Sequence, residues 1–207
     1  MFKGVFVFIY PFTFSCFWVM YVARKVFKMN SVDPIKSLDD IRKIKEFLAK
    51  KPRNALLFSF GINSGLRISD ILALNVGDVR GKEYIEIREQ KTGKQKIFPL
   101  NENLKKEIEE FTKGMPAERP LFYTQKGNRM ERSRAYKILN QAARAVGITR
   151  RIGTHTLRKT FGYHCYQKYD DVILLQKIFN HSSPQITLRY IGIEQEDIDA
   201  VYRDFYL

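Results

Sequence analysis

Gly153–His164 reads GTHTLRKTFGYH, a segment in which a histidine and an arginine three residues apart open a helical run. Thr154 is suited to cap that helix, so His155 and Arg158 share one face of its first turn. Helix-terminal amides, an imidazole and a guanidinium fork can then all point at one phosphate. A histidine and an arginine on a basic helix are, however, more often a solvated face, so the neighbouring segments decide the reading.

Downstream, Asn180–Ile193 reads NHSSPQITLRYIGI and sets His181 nine residues ahead of Tyr190. Ser183 and Pro184 suit the cap and first turn of a short helix carrying Tyr190 near its far end. Such a helix advances about 10 Å, so either the turn at Asn180 folds His181 back or a phosphate lies between the two side chains. Asn tolerates the left-handed backbone such a turn needs.

Upstream, Ser37 and Asp40 form a variant capping box, and Leu38, Ile41, Ile44, Phe47 and Leu48 recur at helical spacing, which predicts a helix over 38–49. A second helix runs from Pro52 to about Asn63 with Gly65 at its exit, and a short third covers RISDILALN. Residues 83–99 alternate apolar positions on both sides of KTGK, a hairpin signal. Further helices are expected over 101–112, 132–146, 154–168, 171–179, 184–190 and 194–204. The fold class is therefore mainly α with a small antiparallel sheet, an α+β arrangement.

The 207 residues carry 36 Lys and Arg against 22 Asp and Glu, a net charge of +14. The sequence pI of about 9.8 favours a polyanionic partner, nucleic acid first and a membrane surface second. Cys16 and Cys165 match no zinc-ligand spacing and are too few for a disulfide framework, which points to a reducing compartment. Between Lys3 and Arg24 lie 20 uncharged residues, long enough as a helix to span a bilayer. Arg24, Lys25 and Lys28 would then hold the rest of the chain in the cytoplasm. Three readings of residues 1–30 stand: a start codon assigned too early, with Met29 or later the true one, a membrane anchor, or buried or partner-bound structure. Only four basic residues and no acids fall there, so the remaining chain keeps +10 of the +14.

Four segments together resemble the catalytic domain of the tyrosine recombinase, or phage integrase, family. SGLRISDILAL (64–74) matches the box around the family's first arginine, here Arg67, with the acidic position on Asp70. KTGKQKIFPL (91–100) matches the hairpin whose lysine, here Lys91, stands eight residues before a proline, here Pro99. HTLRKTFGYH (155–164) matches the His-x-Leu-Arg box, and His181 with Tyr190 match the last histidine and the nucleophile. The resemblance covers about residues 37–200, so the expected division is 1–30 as the apolar segment and 31–207 as a catalytic domain with the DNA breaking-rejoining enzyme fold.

That resemblance implies a site-specific DNA recombinase or integrase of a phage or other mobile element. Tyr190 would attack the scissile phosphate of double-stranded DNA to form a 3′-phosphotyrosyl bond, and the released 5′-hydroxyl would later reverse the step on another strand. Arg67 and Arg158 would neutralise charge on the nonbridging oxygens, and His155 would orient the phosphate and take the phenolic proton. Lys91 would protonate the departing 5′ oxygen, and His181 would bond a phosphate oxygen. No ATP, metal or other cofactor is expected. The expected partner beside DNA is a second copy or another recombinase, the family working as a tetramer on paired sites.

Lys94 and Lys96 share the hairpin with Lys91, and any of the three can be a solvated turn residue. Asp70 reads as structural and His164 as a core histidine, while Tyr202 and Tyr206 lack a histidine nine residues earlier. Family members usually carry an N-terminal core-binding domain, and here the catalytic domain begins within about ten residues of Asn30, so that domain is expected to be absent. A DNA-binding remnant or regulator without strand exchange is the alternative. The expected location is the cytoplasm, on the nucleoid, with membrane tethering of a cytoplasmic domain as the second reading.

Overall fold

A computed structural model describes residues 32–193 and 202–206. Helix α1, Leu38–Leu48, starts where the Ser37 hydroxyl accepts the Asp40 amide, and it buries Ile44 and Leu48. Pro52 opens α2, Pro52–Ser64, and Gly65 closes it at φ 61°, a left-handed conformation that costs glycine nothing. Helix α3, Ile68–Ala73, and a 3₁₀ turn, Val76–Asp78, lead into the hairpin of β1, Tyr84–Arg88, and β2, Gln95–Pro99. Helices α4, Glu102–Thr112, and α5, Arg132–Ala145, complete the first part. The second part contains α6, Thr156–Tyr169, α7, Val172–Phe179, and α8, Pro184–Ile191.

The two strands pair antiparallel in the register Ile85↔Phe98 and Ile87↔Lys96. A lone hairpin is marginal in water. Here Ile85 is fully buried, and Ile87 and Phe98 pack against the main core. That core is built from all the helices before α6 and includes Phe58, Phe60 and Phe122, each worth about 1.5–3 kcal/mol of burial. A smaller cluster of Leu175, Phe179 and Ile191 lies beyond α6.

Helix α6 passes between the two clusters at backbone distance from its neighbours. A Cβ on Gly61 would stand 2.3 Å from Leu157, and one on Gly162 would stand 2.7 Å from both Phe179 and Ile191. The segment ahead of α1 is fastened to the same helix, since the Thr160 hydroxyl accepts the Ile35 amide and His164 Nε2 meets the Ile35 carbonyl at 2.9 Å. His164, read from the sequence as a core histidine, is half-buried and bonded to the backbone ahead of α1.

Within the described residues the expected elements are present, with one shift that bears on function. Thr154 does not cap α6: its hydroxyl accepts from Arg132 Nε at 3.2 Å, and His155 occupies the cap position ahead of a helix that begins at Thr156. The Thr156 hydroxyl instead closes the turn by accepting the Gly153 amide. Most of the helix expected over 194–204, and the whole apolar segment 1–30, lie outside the described residues.

Candidate active site

Arg158 stands at the centre. Its side chain is 2% exposed, Nη1 donates to the Gly65 carbonyl at 2.6 Å and Nη2 to the Phe179 carbonyl at 2.9 Å. The first bond reaches the exit of α2 and the second the end of α7, so one guanidinium fork ties together both sides of α6. Burial pulls its pKa down, while the Tyr190 phenol among its neighbours works the other way. The guanidinium also stacks over the Phe179 ring, 4.3 Å from its centroid.

Tyr190 comes to this fork from α8. The charge of Arg158 acts on its phenol, and the Tyr190 ring meets Phe179 and His181 edge-on, with centroids 5.5 and 5.1 Å away. Burial raises the phenol pKa, with Arg158 and Arg67 pulling against it. The His181–Tyr190 spacing is therefore resolved by a fold-back: Asn180 adopts φ 54°, Ser183 caps α8 through the Ile186 amide, and the two rings touch. No phosphate-sized gap separates them.

His181 is further constrained by Thr187. That hydroxyl stands 3.2 Å from the Ser183 carbonyl and 3.1 Å from His181 Nδ1, so it fixes the orientation of the imidazole. Burial first, then Arg158 and Arg67, push the His181 pKa down to about 4, so the ring is neutral near pH 7. In that state one ring nitrogen donates a hydrogen bond and the other accepts one.

Arg67 lies at the cap position of α3, with its guanidinium 2.7 Å from the Glu89 carboxylate. Glu89 is fully buried and also accepts the Thr92 hydroxyl at 2.7 Å. Burial pushes its pKa up, but Thr92 and Arg67 outweigh that and hold it below the usual carboxylate value. Arg67 Nη1 makes ionic contact without a directed hydrogen bond. Buried Asp70 accepts the Gln90 amide at 3.0 Å, so two carboxylates moor the hairpin to the Arg67 segment.

His155 reaches the surface at the start of α6. Partial loss of water, followed by the charges of Arg132, Arg158, Lys159 and Lys91, lowers its pKa. Lys91 is exposed at the hairpin tip, with its charge felt at His155. The fold thus gathers Arg67, Arg158, His181 and Tyr190 tightly and sets His155 and Lys91 on the rim.

Sequence reasoning missed four contributors. Glu89 and Thr187 hold the arginine and the histidine just described. The Lys159 ammonium lies 5.3 Å from the Tyr190 ring centroid. Lys96 donates to the Ile178 carbonyl at 3.1 Å. A signal existed for Lys96, because strand alternation places it on the face of Phe98. None existed for Glu89, whose partner is more than 20 residues away.

Residues 37–196 match the Phage integrase family. The chain is 49% identical over 179 residues to a probable integrase/recombinase, YoeC, of Bacillus subtilis, covering 86% of this chain and 98% of that one. It is 31% identical to a tyrosine recombinase of Pseudothermotoga lettingae, over 78% of this chain and 57% of the relative's length. Among solved structures, the XerH site-specific recombinase bound to difH substrate in a pre-cleavage complex aligns with TM-score 0.65 and 21% identity, over 86% of this chain and 56% of that chain. The fold is that of a tyrosine recombinase catalytic domain. The chain belongs to the phage integrase family.

Proposed function

We propose that this protein cleaves and rejoins double-stranded DNA through a covalent bond to Tyr190. The observation that carries this reading is the Arg158–Tyr190–His181 cluster, in which the charge of a buried guanidinium acts on the phenol while a neutral imidazole packs on its ring. A free phenol with pKa near 10 is about 0.1% ionised at pH 7 and needs such help to attack a diester.

Arg67 and Arg158 neutralise the nonbridging oxygens as the Tyr190 oxygen bonds to phosphorus and the bond to the 5′ oxygen breaks. His155 takes the phenolic proton and Lys91 delivers one to the departing oxygen. His181 positions the Tyr190 ring and bonds a phosphate oxygen. The phosphotyrosyl bond conserves the energy of the broken diester, so rejoining needs neither ATP nor a metal.

The basic surplus of +14 suits a duplex partner, and copies acting on paired sites supply the second strand. A mobile element is the natural source of such paired sites, and the cytoplasm, where the nucleoid lies, is the expected place of action. Among the described residues no helix is long and apolar enough to cross a membrane.

The test is incubation with nicked half-site duplexes from the protein's own genomic surroundings, followed by a denaturing gel. A covalent adduct that disappears in Tyr190→Phe is expected. An equal adduct from Tyr190→Phe would sink the nucleophile assignment, and DNA binding without any adduct would leave a DNA-binding protein that does not recombine.

A further inference from the structure

Lys96 lies on β2 opposite Ile87, on the strand face that also carries Phe98. Its neighbours on that side are apolar, and its ammonium lies 5.5 Å from the Phe98 ring centroid. A solvated turn lysine would point away from the protein. This one instead donates to the carbonyl of Ile178, in the last turn of α7. The next carbonyl along, that of Phe179, takes Arg158. Two cations therefore sit on successive carbonyls at the negative end of one helix, where the backbone partial charge favours them.

The position of that tether matters more than its strength. On one side it holds the hairpin, whose tip bears Lys91. On the other it holds the end of α7, from which the chain turns through Asn180 to His181 and on to Tyr190. The hairpin's other moorings, Glu89 to Arg67 and Gln90 to Asp70, run to α3 and its cap. Lys96 joins it to the segment that bears the nucleophile.

We propose that Lys96 is a positioning residue for strand cleavage: by latching the hairpin onto the end of α7, it sets where Lys91 stands relative to the Arg158–Tyr190 pair. This inference rests on the reading of Tyr190 as nucleophile and Lys91 as proton donor. Burial, then the charges of Arg158 and Arg67, with Glu89 and Asp70 opposing them, bring the Lys96 pKa down to about 8. The latch is thus an ammonium at pH 7 and is progressively neutralised above pH 8.

The test compares the parent with Lys96→Met, Lys96→Arg and Lys91→Met on nicked half-site duplexes from the genomic flanks. The scissile phosphate carries either the natural 5′ oxygen or a bridging 5′ sulfur, which leaves as a thiolate without needing a proton. Lys96→Met should slow cleavage of the oxygen substrate at least about tenfold, since a misplacement near 1 Å can cost more than that. It should cleave the sulfur substrate within about twofold of the parent, as should Lys91→Met, because no proton donor is then required. DNA affinity should be unchanged, and Lys96→Arg, which keeps the donor, should restore cleavage of the oxygen substrate.

Equal slowing on both substrates, or slowing on neither, overturns the proposal. So does an oxygen-substrate defect in Lys96→Met while Lys91→Met stays fully active, since Lys96 would then be the donor itself. Amide hydrogen exchange without DNA reads the latch independently: Lys96→Met should speed exchange in residues 89–99, and unchanged exchange overturns the proposal. If the parent forms no adduct on either substrate, the recombinase reading fails, and the exchange comparison still decides whether the latch exists.

Discussion

Replacing Glu89 with glutamine keeps the side chain's shape and removes its charge. The carboxylate is fully buried, 2.7 Å from Arg67, with the Thr92 hydroxyl donating to its other oxygen. Removing one member of a buried pair costs about 3–5 kcal/mol, mainly because the other charge is left uncompensated. Arg67 keeps 15% side-chain exposure and the glutamine oxygen can still accept one bond, so the expectation is the lower end, about 3 kcal/mol. For a unit of this size that is a fall in Tm of about 6–12 °C. The pH dependence gives a second signature. With its folded pKa held below the ordinary 4.5, Glu89 adds stability that is present above that value and lost as pH falls through the lower one. Thermal melts by circular dichroism from about pH 3 to pH 8 should show the Gln variant well below the parent at neutrality and converging with it in acid. A Tm within about 2 °C of the parent at pH 7, or two parallel acid limbs, would refute the assignment of Glu89 as the counter-charge of Arg67.

Two further perturbations probe the opposite side of α6. Because the His181 pKa is lowered to about 4, the unfolded chain takes up a proton below about pH 6.5 that the folded one refuses, so stability should fall between those two values. His181→Gln should flatten that slope by up to about one proton in urea melts, and an unchanged slope would mean that the ring titrates normally. Gly162→Ala puts a methyl group 2.7 Å from Phe179 and Ile191, which should cost about 1–3 kcal/mol of unfolding free energy in urea melts and slow adduct formation by displacing α8. Full activity and stability would show that α8 can retreat without moving Tyr190.

Most of the fold was legible because its signals are local. Ser37, Pro52, Gly65, Asn180 and Ser183 each act within a turn of their own position, and the structure uses every one at a helix end. Thr154 shows the limit. A threonine ahead of a helix satisfies the capping rule, but a distant arginine, Arg132, claims its hydroxyl, and the helix starts two residues later. The same distinction applies to the site. Arg67, Arg158, His181 and Tyr190 were found by motif, whereas Glu89, Lys96 and Thr187 were not, because their roles depend on which element packs beside them. The bridging of His181 and Tyr190 by a phosphate was a matter of reach alone, and the left-handed turn at Asn180 resolved it the other way, with ring against ring.

The bonds around Arg158 also fix an order of events during synthesis. Its link to Gly65 spans 93 residues, and the link between Ile35 and Thr160 spans 125. A ribosome adding about 5–20 residues each second needs roughly 6–25 s to travel from Arg67 to Tyr190. Throughout that interval the emerging chain is already a polycation able to settle on nucleic acid, yet it lacks the phenol. Of the six residues of the proposed site Tyr190 is the last in the chain, so the site is completed only once Tyr190 has been made.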